Sequence, residues 1–339
     1  MSKALVTGGG GFLGRAIVAQ LLERGHEVRV FSRRRFPDLE ARGVECALGD
    51  LGDASAVAGA CRDVDVVYHV AALAGAWGPR ERFERTNVLG TEHVISGCRA
   101  RGVGKLVFTS SPSVVSGPEP ADHQGASESL PYPDEYLADY PRTKAQSERA
   151  VLAANASGLL TCALRPHLIV GPGDPHLVPR VLQRARARKL RIVGEGTNTV
   201  DLTFVDNAAR AHLQAASALE SGSPVAGKAY FVSNGEPVQL WPWINALLAH
   251  LEIAPVRRKI SYRAAFRLGG ALERTWRWLR LSGEPPMTRF VANQLSTSHW
   301  FDICAARRDF GYDPERIPMD EATRRIYADL APDRGEVYV

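Results

Sequence analysis

Ala4–Val6 form a short apolar run that passes at once into Thr7-Gly8-Gly9-Gly10-Gly11-Phe12-Leu13-Gly14, then into an amphipathic stretch that ends at Gly25. A strand, a glycine turn and a helix in that order leave few folds open. Gly8, Gly11 and Gly14 have the spacing G-x-x-G-x-x-G. Glycine lets the backbone turn tightly and lets a pyrophosphate approach the bare N–H groups at a helix start. Gly14 lets the helix pack close on the strand. A plain tight turn would also use glycines. The position at the first strand–helix junction is what favours a dinucleotide, with Phe12 and Leu13 in the same contact.

Further along, β-type runs at Glu27–Phe31, Val44–Leu48, Asp65–Ala71, Lys105–Ser110 and Leu159–Val170 alternate with helical patterns at Ala54–Cys61, Arg82–Arg101 and Pro141–Asn155. That alternation requires crossover connections, so the expected fold is α/β, a doubly wound parallel sheet of Rossmann type. After Gly171 the pattern changes, with Pro and Gly dense through Gly171–Pro179. The chain therefore divides into a nucleotide-binding core over 1–165 and a smaller, mostly helical substrate lobe over 166–339. The lobe is expected to interleave with the core and to return to its sheet around Ala229–Val232.

A chain of 339 residues, 45% hydrophobic and 23% charged, is long enough to bury a core without disulfides or metal. Its net charge of +5 is too small to argue for nucleic acid. The five cysteines are scattered and have no CxxC spacing, so no metal site and no disulfide framework are expected. They suit a reducing cytosol. No apolar run reaches the roughly 18 residues a membrane span needs, and no signal peptide is read at the N-terminus.

The second strand ends in Phe31-Ser32-Arg33-Arg34-Arg35. An NAD site would place a carboxylate there to accept from the adenosine ribose. Its absence, with Ser32, Arg33 and Arg34 able to bind a 2′-phosphate, favours NADP over NAD. A solvated basic loop is the bland alternative.

Tyr140-Pro141-Arg142-Thr143-Lys144 places a phenol and an ammonium four residues apart, on one face of a helix. The cation is expected to stabilise the phenolate and lower the Tyr140 pKa, so that the phenol exchanges a proton with a carbonyl or alcohol oxygen. Pro141 fits only a first helical turn, which puts Tyr140 at the helix start. Upstream, Phe108-Thr109-Ser110-Ser111 ends a core strand, and ligands of open α/β sheets bind at that edge. Ser111 is the expected carbonyl-orienting hydroxyl, with Ser110 and Ser113 as rivals.

With these residues in hand, the chain resembles the extended short-chain dehydrogenase/reductases over about residues 3–330. The glycine turn, Gly49-Asp50-Leu51, His69-Val70-Ala71-Ala72, Asn87-Val88-Leu89-Gly90-Thr91, the Ser-Tyr-Lys set, Leu164-Arg165-Pro166 and Phe204-Val205-Asp206-Asn207 occur in family order. The resemblance implies that Asp50 binds the adenine amino group and Leu51 flanks the ring. It implies that Ala71 and Ala72 line the cofactor, that Asn87 supports the site, and that Pro166 and His167 lie near the nicotinamide carboxamide. Bland readings are a helix-start carboxylate for Asp50 and a helix N-terminal residue for Asn87.

Ala74-Gly75-Ala76-Trp77-Gly78, Gly171-Pro172-Gly173-Asp174 and Pro285-Pro286-Met287-Thr288-Arg289-Phe290 resemble the 3β-hydroxysteroid dehydrogenase branch. Together with Ser233-Asn234-Gly235-Glu236-Pro237 and His299-Trp300-Phe301, they look closest to the 2-alkyl-3-oxoalkanoate reductases of bacterial long-chain olefin biosynthesis. That resemblance implies NADPH-dependent reduction of a long-chain β-keto acid. The resemblance to the extended family implies a homodimer through Arg82–Arg101 and Pro141–Asn155; the expected location is cytoplasmic, with peripheral contact to a membrane or to other pathway enzymes left open. The alternatives are a 3β-hydroxysteroid or C4-sterol dehydrogenase, a nucleotide-sugar epimerase or dehydratase, and a non-enzymatic NADP(H) sensor. An intact Ser-Tyr-Lys set argues against the sensor. Tyr262–Leu281 reads as an amphipathic helix, with Ala265, Leu268, Leu272, Trp276 and Leu279 on one side and Arg263, Arg267, Arg274 and Arg277 on the other. It serves as packing, as a lid or as a membrane contact, and Trp241, Trp243 and Trp278 suit any of the three.

Overall fold

The computed structural model describes residues 2–330; residues 331–339, the end of the expected substrate lobe, lie outside them. Seven parallel strands make the main sheet. They are β1 (Lys3–Thr7), β2 (Glu27–Ser32), β3 (Glu45–Leu48), β4 (Val66–His69), β5 (Lys105–Thr109), β6 (Leu160–Pro166) and β7 (Ala229–Val232). Their order is β7-β6-β5-β4-β1-β2-β3. The strand order reverses between β1 and β4, and the carboxyl ends of strands beside such a reversal leave the crevice where ligands bind. β7 comes from the second half of the chain and pairs with β6 from Ala229↔Ala163 to Val232↔Pro166.

Both faces of the sheet are covered, as a parallel sheet requires. Helices α1 (Phe12–Glu23) and α4 (Val205–Ala218) bury Ile17, Val18, Leu21, Ala208 and Leu213 with Val6, Val30 and Val107 on one face. On the other face α2 (Gly90–Arg101) and α3 (Asp139–Ala153) bury Val94, Cys98 and Val151 with Leu5, Val67 and Leu106. A separate core fills the lobe around Trp241, Ile244, Leu248, Phe204 and Ile326. Trp241 is thus core, and Trp243 packs against it.

Three expected elements change on folding. Leu159–Val170 is not one strand: β6 stops at Pro166, and Ile169–Val170 pairs with Thr203–Phe204 instead. Between them Leu168 adopts φ +37°, a backbone region that disfavours a γ-branched residue. The expected helix over Arg82–Arg101 is interrupted. A short turn at Arg80–Phe83 is followed by a π-helical segment at Glu84–Leu89 before α2 begins.

The third change concerns α5 (Tyr262–Trp278). Its buried residues are Ala265, Gly269 and Glu273, while Leu268 and Leu279 are exposed. The reason is close approach to α6 (Arg289–Ser296). A Cβ on Gly269 would lie 2.6 Å from the Thr288 carbonyl carbon and 2.7 Å from the Arg289 nitrogen. Only a small-residue face fits there. Glu273 is buried with them because it accepts from the Arg289 backbone N–H at 2.7 Å and Nε at 2.8 Å, at the positive end of α6.

Candidate active site

A cleft of about 1180 Å³ opens along the carboxyl ends of β1, β2, β4, β5 and β6. Gly8, Gly11, Phe12, Leu13 and Gly14 line one end of it. The glycines are sterically required: a Cβ on Gly14 would stand 2.2 Å from the Gly8 carbonyl oxygen, and one on Gly8, at φ +69°, would meet the Ala71 backbone at 2.9 Å. With no side chains on the turn, a pyrophosphate could approach the N–H groups at the start of α1.

Ser32, Arg33 and Arg34 line the same cleft, and their neighbours divide the basic loop. Arg35 is paired with Glu40 at 2.8 Å, outside the cleft. The Arg34 guanidinium lies 5.2 Å from the centre of the Phe36 ring, with Arg15 at 5.4 Å. Arg33 has no ion pair among the described residues. Phe36 is a lining residue that the sequence reading missed. A Cβ on Gly10 would run into its ring, so Gly10 and Phe36 fit each other. Asp50 and Leu51 line the cleft too. Asp50 is no helix cap, since Asp53 caps the following helix by accepting from Ser55 and Ala56. Asp50 accepts from Gly52 N–H at 2.8 Å and stands 3.6 Å from Arg85.

At the other end Ser111, Tyr140 and Lys144 line the cleft beside Ala71, Ala72 and Pro166. The sequence spacing thus converges in space. Tyr140 is the second residue of α3, with Pro141 third, where a missing N–H costs no helix bond. The Lys144 ammonium donates to the Thr109 carbonyl at 2.5 Å and sits 3.9 Å from the centre of the Phe108 ring. Burial pulls its pKa down to about 7. Burial pushes the Tyr140 phenol up, and the Ser111 hydroxyl pulls the other way. The phenol is thus raised where a lowering by the lysine was expected, and the Lys144 ammonium bonds the Thr109 carbonyl. Ser111 also caps the turn that follows it, bonding Ser113 Oγ at 2.9 Å. Ser113 does not line the cleft. Ser110 does, with a buried hydroxyl that has no partner among the described residues.

Asn87 and His167 stand behind the wall. His167 is buried and its Nε2 lies 3.0 Å from His299 Nδ1; His299 Nε2 in turn bonds the Gln294 carbonyl at 2.9 Å. The imidazole is used in the lobe rather than in the cleft. Asn87 belongs to the π-helical segment. Its side chain accepts from Leu73 N–H at 2.7 Å and donates to the Leu73 carbonyl at 3.1 Å and to Thr143 Oγ1 at 3.0 Å. A π-turn releases carbonyls from the helix ladder. The Asn87 carbonyl is taken up by Thr91 Oγ1 at 2.5 Å and Ser147 Oγ at 2.7 Å.

The network continues with a defined direction. Because Thr91 donates to Asn87, it accepts from His69 Nε2 at 3.0 Å, and His69 Nδ1 accepts from Thr7 Oγ1 at 2.7 Å. Burial holds His69 neutral, with its pKa down to about 3. On the inner face of α3, Glu148 is fully buried and accepts from Arg165 of β6 at 2.6 Å and from Tyr132 at 2.5 Å. Removing one partner of such a pair typically costs about 3–5 kcal/mol, which fixes α3 and its Tyr140 to the sheet.

Residues 5–261 match the 3-beta hydroxysteroid dehydrogenase/isomerase family. The chain belongs to that family. It is 51% identical over 330 residues to a 2-alkyl-3-oxoalkanoate reductase of Stenotrophomonas maltophilia, covering 97% of this chain and 99% of that one. It is 37% identical over 328 residues to a sterol-4-alpha-carboxylate 3-dehydrogenase, decarboxylating, of Mus musculus, covering 95% of this chain and 89% of that one. Among solved structures, MoeE5 in complex with UDP-glucose and NAD superposes with a TM-score of 0.73 at 26% identity, over 96% of this chain and 98% of that one. The family, its reductase- and dehydrogenase-named members and the fold together make the chain a nicotinamide-dependent oxidoreductase.

Proposed function

We propose that this family member reduces a 2-alkyl-3-oxoalkanoate to the 2-alkyl-3-hydroxyalkanoate with NADPH, as a step in bacterial long-chain olefin formation. The observation that carries the reading is Ser111, Tyr140 and Lys144 at one end of a cleft whose other end holds the glycine turn, Arg33 and Arg34. The names of the two relatives support it. One describes an oxo group on C3 beside an acid-bearing C2, the other a reacting C3 beside a carboxylate-bearing C4. Both describe the same reacting unit, a carboxyl-bearing carbon next to the carbon that changes oxidation state.

A reduced nicotinamide would supply the hydride. Gly8, Gly11, Phe12, Leu13 and Gly14 would hold the pyrophosphate, Arg33 and Arg34 the 2′-phosphate, Ser32 the adjacent ribose edge, and Asp50 and Leu51 the adenine. Ala71, Ala72 and Pro166 would flank the nicotinamide. The ketone oxygen would accept hydrogen bonds from Ser111 and Tyr140. As charge builds on that oxygen, Tyr140 would give up its proton, which its raised pKa keeps in place until then. Lys144, held between Thr109 and the Phe108 ring, would hold the cofactor ribose. The active unit is proposed to be a homodimer through α2 and α3.

Leu73, Ala74, Leu168, Ile169 and Leu177 also line the cleft and offer apolar surface to an alkyl chain, whereas no residue of α5 lines it. Each CH₂ buried there is worth about 0.8 kcal/mol, or up to about fourfold in kcat/KM. The test is kcat/KM with NADPH over 2-alkyl-3-oxo acids of rising chain length, beside a sterol acid and a UDP-sugar. A ladder that rises until the pocket is full is expected. A flat series with strong turnover of the sterol or the sugar would overturn the reading.

A further inference from the structure

Six large apolar side chains are exposed among the described residues, and four of them cluster on α5 and the turn after it: Leu268 at 46%, Trp278 at 83%, Leu279 at 51% and Leu281 at 42%. The same segment, 262–281, carries Arg263, Arg267, Arg274, Arg277 and Arg280, all exposed. Its one carboxylate, Glu273, is turned inward and bonded to Arg289. None of the five arginines has a carboxylate partner among the described residues. The next acidic residue, Glu284, is paired with Arg180 of the helix Leu177–Arg186.

Ordinary packing accounts for Ala265, Gly269 and Glu273 but leaves the outer face unexplained. That face combines a wide indole and leucines at one helix end with uncompensated cations along its side. Arginine stems lie along apolar surface while their heads stay with water or anions, and Trp prefers the polar–apolar boundary. A second copy of this chain is a poor occupant, because a two-fold contact would set five unpaired arginines against five. A sheet of anionic headgroups over hydrocarbon satisfies both halves at once.

We propose that α5 and the turn to Leu281 dock this protein on an anionic lipid surface, with Trp278, Leu279 and Leu281 entering the interface and the arginines engaging the headgroups. The segment is also tied to the cleft. Arg277 sits 5.2 Å from the centre of the Trp77 ring, in the loop that directly follows the cleft-lining Ala74. A Cβ on Gly75 of that loop would lie 2.9 Å from Glu284. Docking by α5 therefore sets the rim of the substrate end beside the lipid. Vesicle binding is read without turnover, so this inference stands or falls independently of the proposed substrate.

The test uses the full chain with vesicles of phosphatidylcholine alone and of phosphatidylcholine with phosphatidylglycerol, measured by co-sedimentation at low and high salt. Binding is expected only with phosphatidylglycerol and is expected to weaken as salt rises. Arg267→Glu with Arg274→Glu should weaken it by roughly tenfold or more, each basic residue near such a surface being worth roughly fivefold. Trp278→Ser with Leu279→Ser should weaken it at both salt levels. Both double variants should keep wild-type melting temperature and NADPH affinity, since none of these residues lines the cleft. No binding to the anionic vesicles, or equal binding by wild type and both variants, would overturn the proposal. So would self-association, or capture of one partner protein, that the Trp278 variant abolishes while vesicles are ignored.

Discussion

The side-chain amide of Asn87 donates to Thr143 Oγ1 at 3.0 Å, which joins the π-helical segment to the helix that carries Tyr140 and Lys144. Thr143 passes the bond on to the Asp139 carbonyl at 2.8 Å, at the first turn of α3. The other two bonds of the same amide hold Leu73, in the cleft wall. One buried side chain thus ties the wall to the helix that carries Tyr140 and Lys144. Asn87→Ala removes three hydrogen bonds, so a stability loss of about 1–3 kcal/mol is expected by denaturant titration. Turnover should fall more than NADPH affinity does, because Asn87 does not line the cleft. Thr143→Val should reproduce the effect on turnover at a smaller cost in stability. Unchanged kcat in both variants would remove Asn87 from this role.

Cofactor choice is tested at Arg33. Among the described residues it has no carboxylate partner to give up, so it is available to a 2′-phosphate, whereas Arg35 is held by Glu40. Arg33→Ala should weaken NADPH by roughly 10- to 150-fold, the worth of one charge-assisted bond of about 1.5–3 kcal/mol. NADH binding should barely change. A wild type that prefers NADH would contradict the reading of the basic loop.

Acid stability has a defined sign. The buried His212 donates from Nδ1 to the Ala208 carbonyl at 2.7 Å and accepts from Thr109 Oγ1 at 2.8 Å, and burial pulls its pKa down to about 4. Below the ordinary value of 6.5 the unfolded chain binds a proton there that the folded chain does not. Stability present above pH 6.5 is therefore lost as pH falls towards 4, by up to about 1.4 kcal/mol per pH unit from this group. His69 acts with the same sign over a window reaching down to about 3. Asp201, raised to about 6 by burial, acts with the opposite sign between there and 3.8. Denaturant titrations at several pH values should show a slope reduced by about one proton in His212→Gln. An unaltered slope would mean that His212 charges in the folded state.

Much of this was legible in the residues. The glycine turn fixed the first crossover, and its steric reason is visible where Gly14 meets Gly8. Ser111, Tyr140 and Lys144 could be expected together because a strand-end hydroxyl and two residues four apart on one helix face meet at the sheet edge, and all three do line the cleft. The role of Asn87 came only through resemblance, since a π-turn inside a helical pattern leaves no periodic mark. The partner of the His167 ring was not legible, because it is His299, 132 positions away. Phe36 was missed because nothing local says that a phenylalanine after three arginines folds back over Gly10. The face of α5 was misread for a related reason. Hydrophobic periodicity assumes that large residues face inward, but the contact with α6 is too close for any side chain at Gly269.

The central claim is that Tyr140 gives its proton to the ketone oxygen of a 2-alkyl-3-oxo acid, and one measurement tests it most directly. NADPH oxidation is followed with a 2-alkyl-3-oxoalkanoate for wild type and Tyr140→Phe, with NADPH affinity measured on the same preparations. The account predicts turnover by the wild type, a fall of roughly 10²- to 10⁴-fold in the variant, and nearly unchanged NADPH affinity. Near-normal turnover in Tyr140→Phe, or no turnover of the keto acid by the wild type, would contradict it.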